Sequence, residues 1–237
     1  MATVNLLLVP LLAIAVEYEL DGPLDMKQNW RFVREDIFFV QHQCSDEQGK
    51  AAARKIGRLF SKPSPLSAVK DTPAHLQVRL LPGFDAYRRA FKFSKDRRAH
   101  YDERLGLLTS YCSASATALE EQLALHRLAG TKLRFWQKVF IAEIIPLLQG
   151  NNVIAPFGDA AKVKPVPLRS LLLSNHRPEK GERAAMRRLA LFLQQEKKLE
   201  DFIKALVAWQ GFDDTAMDIL EGMFPEGLRT LEAKITP

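Results

Sequence analysis

The densest group of reactive side chains in the sequence is His42-Gln43-Cys44. Together with His100 and Cys112, it offers the imidazole and thiol groups that zinc prefers as ligands. Structural zinc sites, however, usually take their ligands as close pairs from turns, whereas His42 and Cys44 end a predicted strand. No residue that would orient a cysteine–histidine nucleophile is recognisable either. We therefore expect neither a metal site nor a catalytic residue here.

The sequence signatures of nucleotide-binding and hydrolytic enzymes are missing. The 12 glycines do not cluster into a phosphate-binding loop, and neither a G-x-S-x-G nor an H-E-x-x-H motif occurs. Arg169 and His176 have the spacing of a ribonuclease motif from helical domains, but the apolar run that starts at Leu171 and the nearby Pro178 do not fit that motif. We expect no cofactor, and a nuclease or hydrolase is the least favoured function.

Basic and aromatic residues alternate in residues 87–98, which carry the best indication of function. Arginine and lysine contact phosphates, and aromatic rings stack on exposed nucleic-acid bases. A predicted helix places the basic residues and the aromatic residues on different faces, which is also typical of an amphipathic helix with its aromatic rings in the core. A solvated helix face and an acidic protein partner therefore stay open as alternatives. The predicted nucleic-acid contacts are Arg88, Arg89, Lys92, Lys95, Arg97 and Arg98.

The net charge of +6 comes from two segments. Residues 84–104 carry seven basic and four acidic side chains, and residues 131–211 carry 14 and seven, while residues 212–237 carry two and six. This asymmetry indicates a polyanionic partner, unless the acidic C-terminal end folds back on a basic face of the chain. In the second segment, the predicted nucleic-acid contacts are Arg177, Lys180, Arg183, Arg187 and Arg188.

Residues 4–16 form the most apolar stretch of the chain. This run of about a dozen residues is too short for a membrane-spanning helix, which needs roughly 20 residues. We predict a buried strand that is interrupted at Pro10, which cannot donate a ladder hydrogen bond. In residues 16–20, apolar and acidic side chains alternate as in a half-buried strand.

The same apolar run decides the expected location. A signal peptide needs a basic segment before its apolar core, but no lysine or arginine precedes Lys27. We therefore predict a cytoplasmic protein. The segment Ala13-Ile14-Ala15 has the form of a cleavage site, so secretion stays open as an alternative. In a secreted protein, a disulfide between Cys44 and Cys112 would become available.

Strand signals dominate up to residue 83. Aromatic and branched side chains in residues 30–40 predict one or two strands. Ser45 is a good N-cap with Gln48 at the capping-box position, which predicts a helix through Phe60. Alternating apolar residues predict a further strand over 75–81.

From Phe84 onward, helical spacing replaces the strand signals. The longest expected helix starts at Ser94, because Leu105, Leu108 and Cys112 lie three or four residues apart. A nearly all-apolar segment from residue 132 is the strongest candidate for the core. The predicted helices cover residues 85–93, 94–129, 132–149, 182–210, from Asp213 or Asp214 to Met223, and 225–234, with a short apolar element at 168–174.

These elements predict an α+β fold: a small N-terminal antiparallel β-sheet with one helix, followed by a predominantly α-helical bundle. The boundary lies at residue 83, giving regions 1–83 and 84–237, or the chain is one continuous domain with an internal loop at 151–167. The favoured function is a non-enzymatic subunit of a larger assembly that contacts nucleic-acid backbone. The alternative is a helical scaffold or adaptor that docks on a protein partner.

Overall fold

The computed structural model describes residues 30–35, 38–62, 66, 69, 76–91, 98–149, 163, 166–176, 178–209 and 215–235, with the side chains of residues 146–149 left undescribed. The predictions for the apolar run at 4–16, for the strand at 16–20 and for most of the loop at 151–167 lie outside these residues. Four of the predicted nucleic-acid contacts also lie outside them: Lys92, Lys95, Arg97 and Arg177.

The elements of the described residues confirm the α+β class. The strands are β1 (Arg31–Glu35), β2 (Phe38–His42), β3 (Leu76–Leu81), β4 (His100–Asp102) and β5 (Leu107–Tyr111). The helices are α1 (Asp46–Ser61), α2 (Phe84–Ala90), α3 (Ala116–Leu128), α4 (Phe135–Gln149), α5 (Leu168–Leu173), α6 (Lys180–Gln195), α7 (Leu199–Ala208), α8 (Thr215–Met223) and α9 (Leu228–Ile235).

The sheet is mixed, so the prediction of an antiparallel sheet is wrong. Its strand order is β1-β2-β3-β5-β4, and the outer pairs β1–β2 and β4–β5 are antiparallel. The inner pairs β2–β3 and β3–β5 are parallel. Parallel neighbours need a crossover connection, and α1 connects β2 to β3 while α2 lies between β3 and β5. The sequence signals predicted β1, β2 and β3 without their directions, and they did not predict β4 and β5.

The helix α1 begins as its sequence predicts. The Ser45 hydroxyl accepts a hydrogen bond from the backbone N–H of Gln48, whose side chain in turn accepts one from the Ser45 N–H. This reciprocal capping box satisfies two of the N–H groups that a helix start leaves without intrahelical partners. The small residues Gly49 and Ala53 are buried, so α1 packs closely on the sheet.

The predicted helix from Ser94 to Ala129 is wrong over residues 100–111, which form the hairpin β4–β5. The Asp102 carboxylate accepts hydrogen bonds from the backbone N–H groups of Arg104 and Leu105, and Gly106 has a φ of +59°, a left-handed conformation that favours glycine. Leucines three residues apart fit a helix and also a strand–turn–strand. The turn between β4 and β5 selects the hairpin over the helix. Helix α3 begins only after its N-cap, Ser115.

The apolar side chains form two core clusters that meet at α3. One cluster packs the sheet against α1 on one side and α2 on the other, and it includes Leu119 and Leu123 of α3. The other cluster holds α4 to α9 together and includes Leu128 near the end of α3. The strands reach Tyr111, beyond the predicted boundary at residue 83, and the division of the chain into domains stays a prediction.

The single long helix predicted over 182–210 is wrong, because it is two helices, α6 and α7. Between them Lys197 has a φ of +57°, and the Lys198 N–H donates to the Leu193 carbonyl at 2.8 Å. A left-handed residue with this hydrogen bond is a common helix end. The apolar spacing continues across the break, which explains why the sequence did not reveal it.

Candidate nucleic-acid interface

The helix α2 positions the first predicted basic segment. Tyr87 is 1% exposed and packs on Tyr111 of β5, with ring centroids 6.1 Å apart. This contact anchors the inner face of α2 on the sheet and leaves Arg88 and Arg89 exposed on its outer face. Tyr87 lies in the core and Arg88 on the exposed face of α2, while Lys92 and Lys95 of the predicted basic face lie outside the described residues.

Two arginines from different parts of the chain meet over the ring of Phe84. The guanidinium carbon of Arg98, just before β4, lies 3.8 Å from the ring centroid, and that of Arg88 lies 5.8 Å from it. Both are within the range in which a cation is attracted to an aromatic face. We call Arg88, Arg89 and Arg98 the α2 patch. All three are exposed, and among the described residues no ion pair joins any of them to a carboxylate.

The second predicted basic segment, on α6, has a different environment. The four described members, Lys180, Arg183, Arg187 and Arg188, are here called the α6 patch. Arg183 donates a hydrogen bond to Glu143 of α4, and Arg187 lies 3.7 Å from the other oxygen of the same carboxylate. The Glu143 side chain is 14% exposed, so this carboxylate neutralises charge in a partly desolvated setting.

The other two members of the α6 patch also differ from each other. Lys180 is exposed in the first turn of α6. Arg188 is half-buried, and its Nη1 atom is buried without a hydrogen-bond partner. Lys180 is therefore the one member of this patch that is both fully exposed and outside the Glu143 cluster among the described residues.

A second carboxylate, Glu121 of α3, belongs to the same cluster. Burial, and to a smaller extent the neighbouring Glu143, raise the pKa of Glu121 to about 7, against the opposing effects of Arg183, a hydrogen bond from Gln122 and Arg187. A carboxyl group that titrates near neutral pH can act as a general acid or base. No nucleophilic side chain is placed against it in the described residues, so we assign no reaction to it.

The described cysteines and histidines have other roles than the metal ligation considered above. Cys44, after β2, and Cys112, after β5, are joined by a disulfide, with their Cα atoms 6.5 Å apart. The predicted position of Cys112 on a helix is therefore wrong. His42 is 1% exposed and lies against Gly49 of α1, where a Cβ atom would collide with its ring. Within the described part of the chain, no three potential ligands come together around a cation position.

Sequence analysis missed one further surface, the side of the sheet that faces away from α1. Strand register places Phe32 and Arg34 of β1 on the same side as Phe39 and Gln41 of β2. Phe32 is 56% exposed and Phe39 43% exposed. The two faces of these strands are similarly rich in apolar residues, so the sequence predicts the strands but not which aromatic rings stay exposed.

No protein-family model matches this sequence, and no curated protein is significantly similar to it. The site must therefore be interpreted from its own chemistry. None of the helices in the described residues has both the length and the apolar character needed to cross a membrane.

Proposed function

We propose that this protein contacts the phosphate backbone of nucleic acid through the α2 patch, as a non-enzymatic subunit of a larger assembly. The observation that carries this proposal is the set of three exposed arginines that form no ion pair with a carboxylate of the described residues, two of them over the ring of Phe84. Guanidinium groups match phosphate oxygens with two parallel hydrogen bonds. Such contacts release counterions and discriminate little between sequences.

The ring of Phe84 strengthens the case, because it limits the freedom of Arg88 and Arg98 before any ligand arrives. Immobilising a long side chain on binding opposes association, so a guanidinium that is already held on a ring loses less entropy. The ring also leaves the edge of each guanidinium available, since the attraction acts through the planar face.

The scaffold alternative has less support from the geometry. The helices α4 to α9 bury several of their largest side chains in their own core, including Trp136, Phe140 and Phe202. Among their described residues, the exposed large apolar side chains are Phe135, Leu173 and Trp209. Three such side chains do not make the large contiguous apolar patch that indicates a docking site.

The cellular compartment of the protein is also part of the proposed function. The predicted cytoplasmic location stays a prediction, and the Cys44–Cys112 disulfide is the observation that weighs against it. Disulfides persist mainly in oxidising compartments, which matches the secreted alternative. Thiol alkylation in intact cells distinguishes the two, because a cytoplasmic protein is expected to be labelled at Cys44 and Cys112.

The test is a charge reversal of the whole α2 patch, Arg88→Glu, Arg89→Glu and Arg98→Glu. We expect the affinity for a labelled 20-nucleotide DNA at low salt to fall on the order of 100-fold. The slope of log affinity against log salt should become shallower by about three, one for each lost phosphate contact. Fluorescence anisotropy over a salt series measures both quantities.

A matched control is available on the other side of the sheet. Lys50, Arg54 and Arg58 are exposed on α1, and their reversal to glutamate changes the net charge of the protein by the same amount. This control should lose far less affinity than the α2 variant. Equal losses would mean that binding depends only on net charge, and the absence of polyanion binding by the unaltered protein at low salt would end the proposal.

A further inference from the structure

The side of the sheet away from α1 is only half covered. Over β5 and β4, helix α2 and the residue after it supply aromatic cover, with Phe84 5.5 Å from Tyr111 and Phe91 6.3 Å from His100 between ring centroids. Over β1 and β2 the described residues supply no such helix. We call the uncovered part the open sheet face. It consists of Trp30, Phe32, Arg34, Phe39, Gln41 and Arg79.

Two phenylalanine rings stand side by side on the open sheet face. Phe32 and Phe39 have ring centroids 5.5 Å apart, and their planes are tilted by 34°. Both rings keep about half of their surface in contact with solvent. Exposed aromatic rings on adjacent strands of a sheet are the arrangement on which unstacked bases are held in common RNA-binding modules.

The open sheet face carries two cations, Arg34 and Arg79, and no carboxylate of the described residues of β1 to β3 lies on the same side. The guanidinium of Arg79 lies 5.5 Å from the centre of the Trp30 ring, and it donates two hydrogen bonds of 3.3 Å to the side chain of Gln41. Arg34 is exposed. The single carboxylate in the described residues of β1 to β3, that of Glu35, points to the opposite side of the sheet, towards Gly57 of α1.

We propose that the open sheet face binds single-stranded nucleic acid, with bases stacked on Phe32 and Phe39 and phosphates held by Arg34 and Arg79. This inference rests on the proposed function and names its substrate class. The α2 patch lies on the same side of the sheet, so its arginines add further contacts for the phosphates of the nucleic-acid strand. Base stacking on aromatic rings tolerates any sequence, because every base has a π face.

Charge and shape favour this occupant over others. In a duplex the bases are already stacked and paired, and this side of the sheet presents no helix or ribbon that could enter a groove at the rings. A second copy of the chain would bring arginine against arginine, which is repulsive. Residues 1–29 of the same chain are another candidate for covering the open sheet face. The experiment below distinguishes this case from the binding of nucleic acid.

The decisive variant is Phe32→Ala with Phe39→Ala in the full-length protein. We expect the affinity for a labelled 20-nucleotide deoxythymidine strand to fall about ten-fold for each ring, and therefore about 100-fold together. The affinity for a duplex of the same length should stay unchanged, since it depends on phosphate contacts alone. The salt slope should also stay unchanged, which distinguishes lost stacking from lost charge.

Three controls keep the experiment interpretable. The conservative variant Phe32→Tyr with Phe39→Tyr keeps both rings and should keep the affinity. The variant Phe135→Ala removes an exposed ring from the helical half and should also leave the affinity unchanged. Photocrosslinking of a strand that carries 4-thiothymidine should label peptides within residues 30–41, and this readout does not depend on the alanine variant folding.

The outcomes separate this proposal from the proposed function. If the protein binds duplex and single strand equally and the alanine variant changes neither affinity, stacking is overturned while backbone binding stands. Crosslinks confined to the helical half also overturn it, and they are the result expected if residues 1–29 cover the rings. If no nucleic acid binds at low salt, both proposals fail together.

Discussion

The α2 patch and the α6 patch have closely spaced basic residues in sequence, but opposite electrostatic surroundings in the fold. The arginines of the α2 patch are exposed, and Arg88 and Arg98 lie over an aromatic ring, whereas Arg183 and Arg187 of the α6 patch share the carboxylate of Glu143. An exposed cation is available to a polyanion, and a paired one has already been neutralised. The comparison shows that net charge alone does not locate a binding surface.

The largest expected difference between the two patches is in stability. Arg183→Glu places a third carboxylate against Glu121 and Glu143 in a partly buried setting, and it should lower the free energy of unfolding by about 2–4 kcal/mol. Arg88→Glu on the exposed face of α2 loses only the contact with the Phe84 ring and should lower it by about 1 kcal/mol or less. Urea unfolding of both variants at pH 7.5 measures the difference. Similar values for the two would contradict the distinction between a paired and an unpaired patch.

The second expected effect is a pH dependence that belongs to the α6 cluster alone. Burial is the main reason why the pKa of Glu121 is about 7 in the folded state, above its ordinary value of 4.5. Below about pH 4.5, Glu121 is protonated in both the folded and the unfolded protein. Between pH 4.5 and 7, it loses its proton in the unfolded protein while it stays largely protonated in the folded protein. The titration of Glu121 therefore makes the free energy of unfolding highest at low pH. This free energy falls as the pH rises, by up to about 3 kcal/mol at neutral pH.

The variant Glu121→Gln tests this prediction, because it keeps the shape of the side chain and removes its titration. Urea unfolding between pH 4.5 and 8 should show a smaller decline in stability for this variant than for the unaltered protein. Identical pH profiles would show that Glu121 does not titrate in this range. Arg88→Gln in the α2 patch is the matched control and should leave the profile as it is.

The smallest expected effect is a gain in binding. Glu143→Gln removes the charge that neutralises Arg183 and Arg187 while leaving a side chain of the same size. We expect a few-fold higher affinity for polyanions at low salt, because about one further phosphate contact becomes available. Anisotropy titrations compare this variant with the unaltered protein, and a lower affinity would show that the carboxylate positions the arginines for binding.

Local sequence signals succeeded where the structure depends on neighbours along the chain. The capping box of Ser45 and Gln48, the strand of residues 76–81 and the final helices follow from side chains a few positions apart. The candidate site could be predicted in part, because the α2 arginines follow from composition and helical spacing. The partner ring of Arg98 lies 14 residues away and could not be assigned from spacing.

The errors share one physical cause. The hairpin of residues 100–111, the break at Lys197 and the parallel strands depend on turn geometry and on crossovers, which apolar spacing does not encode. The sequence named Cys44–Cys112 as the disulfide of a secreted protein, but whether two strand ends 68 residues apart meet depends on the fold. The open sheet face was missed because both sides of β1 and β2 carry apolar residues.

The sequence by itself determined the net positive charge, the α+β class, and the helix and strand starts that local hydrogen bonding controls. The tertiary structure decided which of those charges remain available. Arg183 and Glu143 are 40 residues apart in the chain, and they meet only because α4 and α6 pack together. Electrostatic energy depends on distance and on burial, and both are properties of the packed fold.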